Sequence, residues 1–173
     1  MVLYQGERPH ARAAEVCNEL VSRFWPRAEL QFRWFALDQL LAPAVRRAAA
    51  AACVEAEIIV CAIEAEEDVP SHVADWFDEL VGLRLNREGV FIGLVGCGGE
   101  TSEKKLVRLE WLRRVARRAG MDFLAEAIPT GAWTIPESFQ WLEQRAGQLS
   151  PVLCCILGYP AAPFMSSSPP PDR

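Results

Sequence analysis

The chain lacks any run of about 18 apolar residues, so no helix is expected to span a bilayer. It has few histidines, only His10 and His72, and none of its six cysteines forms a CxxC pair. Spacing therefore offers no zinc site. It has no surplus of positive charge: 18 Lys and Arg against 23 Asp and Glu leave a net charge of −5. That balance argues against general binding to nucleic acid or to an anionic membrane. No basic region followed by an apolar segment opens the sequence, so no secretion signal is expected and a cytoplasmic location is. Internal repeats are absent as well.

What is present is an alternation of strand-like and helix-like segments. At 173 residues and 51% hydrophobic content, the chain suits one domain with a real core. Val2-Leu3-Tyr4 reads as a short first strand. Ala13, Val16, Cys17, Leu20, Val21 and Phe24 recur at helical steps within a helix from Arg12 to Phe24, which Trp25-Pro26 stops. Glu29 to Leu37 alternates as a second strand, and Pro43 opens a second helix carrying the alanine block 48–52. Glu57 to Ile63 is apolar on both faces, as a central parallel strand must be.

Beyond Pro70, a helix buries Val73, Phe77, Leu80 and Val81; Gly89 to Val95 is the fourth strand. A long helix from Ser102 to Ala119 ends at Gly120, and Asp122 to Ile128 is the fifth strand. Thr134 to Glu137 has capping-box spacing for a helix to about Leu149. The domain is therefore set at residues 1–149. Residues 150–173 are an apolar segment followed by a Pro/Ser-rich tail of disordered composition. Strands alternating with helices imply an α/β fold: a three-layer, doubly wound parallel sheet with any ligand beyond its carboxyl ends.

Ala56-Glu57-Ile58-Ile59-Val60, followed by Val69-Pro70 and Trp76-Phe77, resembles the middle of NAD(P)H-dependent FMN reductases and flavodoxins. The chain as a whole is also similar to bacterial proteins of the same layout, a likeness that carries no activity across. The resemblance implies a flavodoxin-like sheet of order 2-1-3-4-5 and directs attention to FMN. In that family the loop after strand one is rich in Ser, Thr and Gly and holds the phosphate at a helix N-terminus. Here it is Gln5-Gly6-Glu7-Arg8-Pro9-His10, with one glycine, no hydroxyl, an acid, and a proline that lacks a donor. An atypical phosphate site would have to combine Gln5, Gly6 and Arg8 with Gly98, Gly99 and Thr101 of the fourth-strand loop.

The loop after strand three, Glu64-Ala65-Glu66-Glu67-Asp68, repels phosphate. Glu64, Glu66 and Glu67 are candidate oxygen ligands for Mg²⁺ or Ca²⁺, with Glu7 and Glu100 able to converge there. Its plainer reading is a solvated acidic rim. Response-regulator receivers share the fold but need an acidic pair after strand one, an aspartate after strand three and a lysine after strand five. Glu7, Glu64 and Ile128-Pro129-Thr130 do not supply that set, which argues against phosphoryl transfer.

Charge is also segregated along the chain. Residues 54–83 hold nine acids and no Lys or Arg, whereas residues 103–118 hold seven bases against Glu103 and Glu110. In the basic helix, Leu106, Leu109, Leu112, Val115 and Ala116 form the expected buried stripe, and Trp111 lies off it. Acidic and basic faces of this kind can steer a protein partner or join copies of the chain. His10 has no Ser or Cys nucleophile beside it. The sequence thus favours a non-catalytic protein-interaction or regulatory module without a working cofactor loop. The alternative is an FMN- or nucleotide-binding oxidoreductase relative.

Overall fold

The computed structural model describes residues 1–24, 30–84, 88–96 and 103–125. The elements are β1 (Val2–Tyr4), α1 (Glu7–Phe24), β2 (Trp34–Ala36), a 3₁₀ turn (Leu37–Leu41), α2 (Pro43–Glu55) and β3 (Ile58–Ile63). They continue with α3 (Ser71–Leu83), β4 (Val90–Val95), α4 (Glu103–Arg118) and β5 (Asp122–Ala125). All strand pairs are parallel and the sheet order is β2-β1-β3-β4-β5. The fold is therefore the doubly wound α/β sheet expected. The helix expected over residues 134–149, and the segment and tail of 150–173, lie outside the described residues.

Strict alternation along the strands feeds two cores. Leu3, Ile59, Cys61, Ile63, Phe91 and Val95 face α2, α3 and α4 in the larger one. Val2, Val60, Ala62, Val90, Ile92 and Leu94 pack with Ala13, Val16, Cys17 and Leu20 of α1 in the other. Burial on both faces is what selects the β-branched runs of β3 and β4. Phe77 anchors the larger core through edge contacts with Trp76 at 5.1 Å and Trp111 at 5.3 Å. Trp111, off the stripe by spacing, is thus half-buried between helices α3 and α4, while Leu106, placed on the stripe by spacing, is 55% exposed.

Three boundaries differ from the pattern for identifiable reasons. β2 is three residues rather than nine, because its one neighbour, β1, offers a three-residue ladder. Leu37 and Leu40 are both buried, and their three-residue spacing suits a 3₁₀ turn, in which such side chains eclipse. Helix α1 begins at Glu7 instead of Arg12, with the Gly6 carbonyl accepting the His10 amide at 3.2 Å. Pro9 then falls in the first turn, where an amide has no intrahelical partner to lose.

Arg84, just past α3, is 1% exposed. Its Nη1 donates to the carbonyls of Cys53 and Ala56, both at 2.5 Å, and its Nη2 to that of Glu88 at 3.2 Å. The first two carbonyls close the C-terminus of α2, where a cation also complements the helix dipole. Gly89 makes room for this clamp. A Cβ there would lie 2.6 Å from Arg84 Nη2 and 2.7 Å from the Glu57 carbonyl oxygen.

Two predictions follow from this packing. Arg84→Met removes the charged donor from the Cys53, Ala56 and Glu88 carbonyls and lowers stability by about 3 kcal/mol, and Gly89→Ala costs about 2 kcal/mol by overpacking. Urea unfolding monitored by circular dichroism measures both. Burial also pushes the thiols of Cys17 to about 11, Cys53 to about 12 and Cys61 higher still, from an ordinary 9.0. The native state therefore keeps protons that the unfolded chain releases above pH 9. Stability from these thiols is intact below pH 9 and falls as pH rises through 11. Alkylation mapped by mass spectrometry should leave all three unmodified at pH 8 and label them once the protein is unfolded in urea.

Candidate functional site

Three of the connections at the carboxyl ends of the strands, those after β1, β3 and β4, hold the residues singled out in the sequence. The one after β1 is only Gln5-Gly6, because α1 begins at Glu7. Gly6 turns the chain with φ +80, a conformation that side chains with a Cβ rarely adopt. The Gln5 amide continues the ladder to the Ala62 carbonyl at 3.0 Å, and the Gly6 carbonyl closes the first turn of α1. Of the six-residue loop read from sequence, four residues are therefore helix. Arg8 and His10 are exposed on that helix.

The His10 ring lies 4.6 Å from the Tyr4 ring and 5.1 Å from the Trp34 ring, forming an aromatic trio on the α1 side of β1 and β2. No spacing in the sequence announces it, since its members come from three elements. The signal available was the parity of Tyr4 and Trp34 along adjacent parallel strands.

The connection after β3 is the acidic one. Glu66 accepts from Lys104 Nζ at 2.5 Å, Asp68 is bound by Arg108, and Glu67 accepts from Gln5 Nε2 at 2.8 Å. Further along the seam, Asp78 of α3 meets Arg118 of α4 at 2.5 Å. The acidic run and the basic helix, separated by tens of residues in sequence, thus neutralise each other inside one molecule. Glu66 and Glu67 are directed to different partners, Lys104 and Gln5. Among the described residues no group of three or more His, Cys, Asp or Glu side chains is arranged to hold a metal ion.

The connection after β4 begins with Gly96, whose amide donates to the Ile63 carbonyl at 2.9 Å and whose φ is +72. Gly98, Gly99 and Thr101 lie outside the described residues. Of the candidate phosphate residues, the structure brings Gln5 and Gly6 to the mouth, with Gln5 engaged by Glu67. Cys61, in the middle of β3, is fully buried, and burial pushes the pKa of its thiol up, away from the thiolate a nucleophile needs.

Among the described residues, no helix is long and apolar enough to cross a membrane. Compared with protein-family models, curated proteins and solved structures, the chain matches none of them.

The ion pairs at the mouth are exposed, Asp68 to 98% of its side chain, so salt screens them. A Lys104→Gln, Arg108→Gln double variant should unfold at lower urea concentration than the parent in low salt. In about 1 M salt the difference should collapse.

Proposed function

We propose that this chain is a flavodoxin-like domain that works as a non-catalytic interaction or regulatory module in a reducing cytoplasm. The observation that carries the reading is the two-residue link between β1 and α1. A phosphate cradle at a helix N-terminus needs a loop that curls over the anion and presents several amides and hydroxyls. Here the first turn contains Pro9, which has no amide hydrogen, and Glu7, whose negative charge at the positive end of the helix opposes a second anion there. In this link and turn the amides of Gly6, Glu7 and Arg8 remain to meet a phosphoryl group. The neighbouring acidic loop adds negative charge beside them, partly compensated by Lys104 and Arg108.

The same features support a role in recognition rather than chemistry. The mouth groups hold one another, and the buried thiols of Cys17, Cys53 and Cys61 fit a structural use of cysteine. Partner contacts would fall on the charged rim and on the outer faces of the helices.

The test is optical. The purified protein should be colourless, and micromolar FMN should keep its fluorescence when the protein is added in excess. A yellow preparation, or quenching that saturates with protein, would overturn the proposal in favour of the flavin-binding alternative.

A further inference from the structure

At the end of the sheet opposite its mouth, beside the amino ends of β1 and β3, a cavity of about 310 Å³ opens to solvent. Its walls include the apolar side chains of Leu20, Leu30, Phe32 and Ile58, and its lining also includes Arg33, Glu55, Glu57 and Met1, whose terminal ammonium donates to the Ile58 carbonyl at 2.8 Å. Liquid water occupies about 30 Å³ per molecule, so this space equals about ten waters and suits a compact organic molecule. We propose that it is a binding site for an apolar α-amino acid, taken up as the zwitterion.

The charges decide the class of ligand. Arg33 Nη1 holds Glu55 at 2.9 Å, and a guanidinium has five donors in a planar fork, so its remaining edge is available to a second carboxylate. Glu57 lies two residues from Glu55 and is exposed, which places an acceptor for an ammonium group on the same lining. A simple carboxylic acid would match Arg33 and the Met1 ammonium but set its charge against Glu55 and Glu57. A simple amine would match the acids but face both cations. A zwitterion satisfies both signs, and the leucine and phenylalanine walls take an apolar side chain.

The backbone positions that carry the charged side chains are also fixed before any ligand arrives. The Arg33 carbonyl accepts the Val2 amide at 2.8 Å, and the Glu57 carbonyl accepts the Val90 amide at 2.8 Å. Their backbones are therefore part of the sheet, which lowers the ordering cost of binding. The site is remote from the mouth and stands apart from the reading of that region.

The experiment is isothermal titration calorimetry of the full chain with L-phenylalanine, 3-phenylpropionate and 2-phenylethylamine. L-phenylalanine should bind at least about tenfold more tightly than either analogue, the factor expected for one lost charge-assisted contact. Arg33→Gln and Glu57→Gln should each weaken it by about tenfold or more. Both positions are exposed, Arg33 to 55% of its side chain, so the thermal midpoint should stay within a degree or so of the parent. Absence of heat with L-phenylalanine, equal affinity for all three compounds, or unchanged affinity in both variants would overturn the proposal.

Discussion

Arg84 brings a permanent positive charge to a position that solvent scarcely reaches, and the ends of three elements meet on it. Its Nη atoms gather the Cys53 carbonyl near the end of α2, the Ala56 carbonyl that leads into β3 and the Glu88 carbonyl two residues before β4. Burying such a charge is costly, so its donors must be met by good acceptors. Carbonyls at a helix C-terminus serve well, since the helix ladder engages them least and they carry its negative pole. The clamp fixes where α2 stops and how β3 and β4 begin. The register of the two longest strands, Ile58 with Val90 through Ile63 with Val95, starts from that point.

The two ends of the sheet are held by different physics. The amino end depends on buried, charge-assisted hydrogen bonds that salt cannot reach. The carboxyl end depends on exposed pairs, Glu66 with Lys104 and Asp68 with Arg108, each worth little alone. These pairs also change the meaning of the charge segregation. Read linearly, nine acids followed by a basic helix suggest two opposed fields available to partners. Folded, α4 lies beside α3, and the acids and bases closest to the seam satisfy each other.

Much of the fold was legible because its signals are local. Period-two alternation, Pro43 at a helix start and Gly120 at a helix end located most elements within a few residues. The misses share a cause, which is dependence on a neighbour distant in sequence. β2 was overestimated because its length is set by β1, and nothing within residues 29–37 records that limit. Leu106 satisfied the helical stripe, yet Trp111 took the inward position because Phe77 of α3 was there to receive it. The first loop was read as six residues because Pro9 signals a break in most contexts. In the first turn of a helix it is compatible with continuation. At the site, the acidic rim was visible in sequence but its partners on α4 were not. Arg84 and the cavity beside β1 left no motif at all, since each is assembled from segments that only the topology brings together.

Ligands in open α/β sheets ordinarily lie beyond the carboxyl ends of the strands, because the loops there converge and helix N-termini point at them. That rule presupposes loops long enough to reach over a ligand. Here the β1–α1 link is two residues, and the first turn of α1 carries a glutamate and a proline, so the usual source of donors is folded into the helix. The amino end offers the opposite combination: a firm framework set by Arg84, and an open volume whose charged residues, Arg33 and Glu57, are pinned through their backbones. Ala56 connects the two, since its carbonyl receives Arg84 while the residue also lines the cavity. Precise recognition of a small molecule requires groups held by such a supporting shell rather than by mobile side chains. In this chain the backbone part of that requirement is met at the end of the sheet where the general rule would not place it, which is the ground for the amino-acid site proposed there.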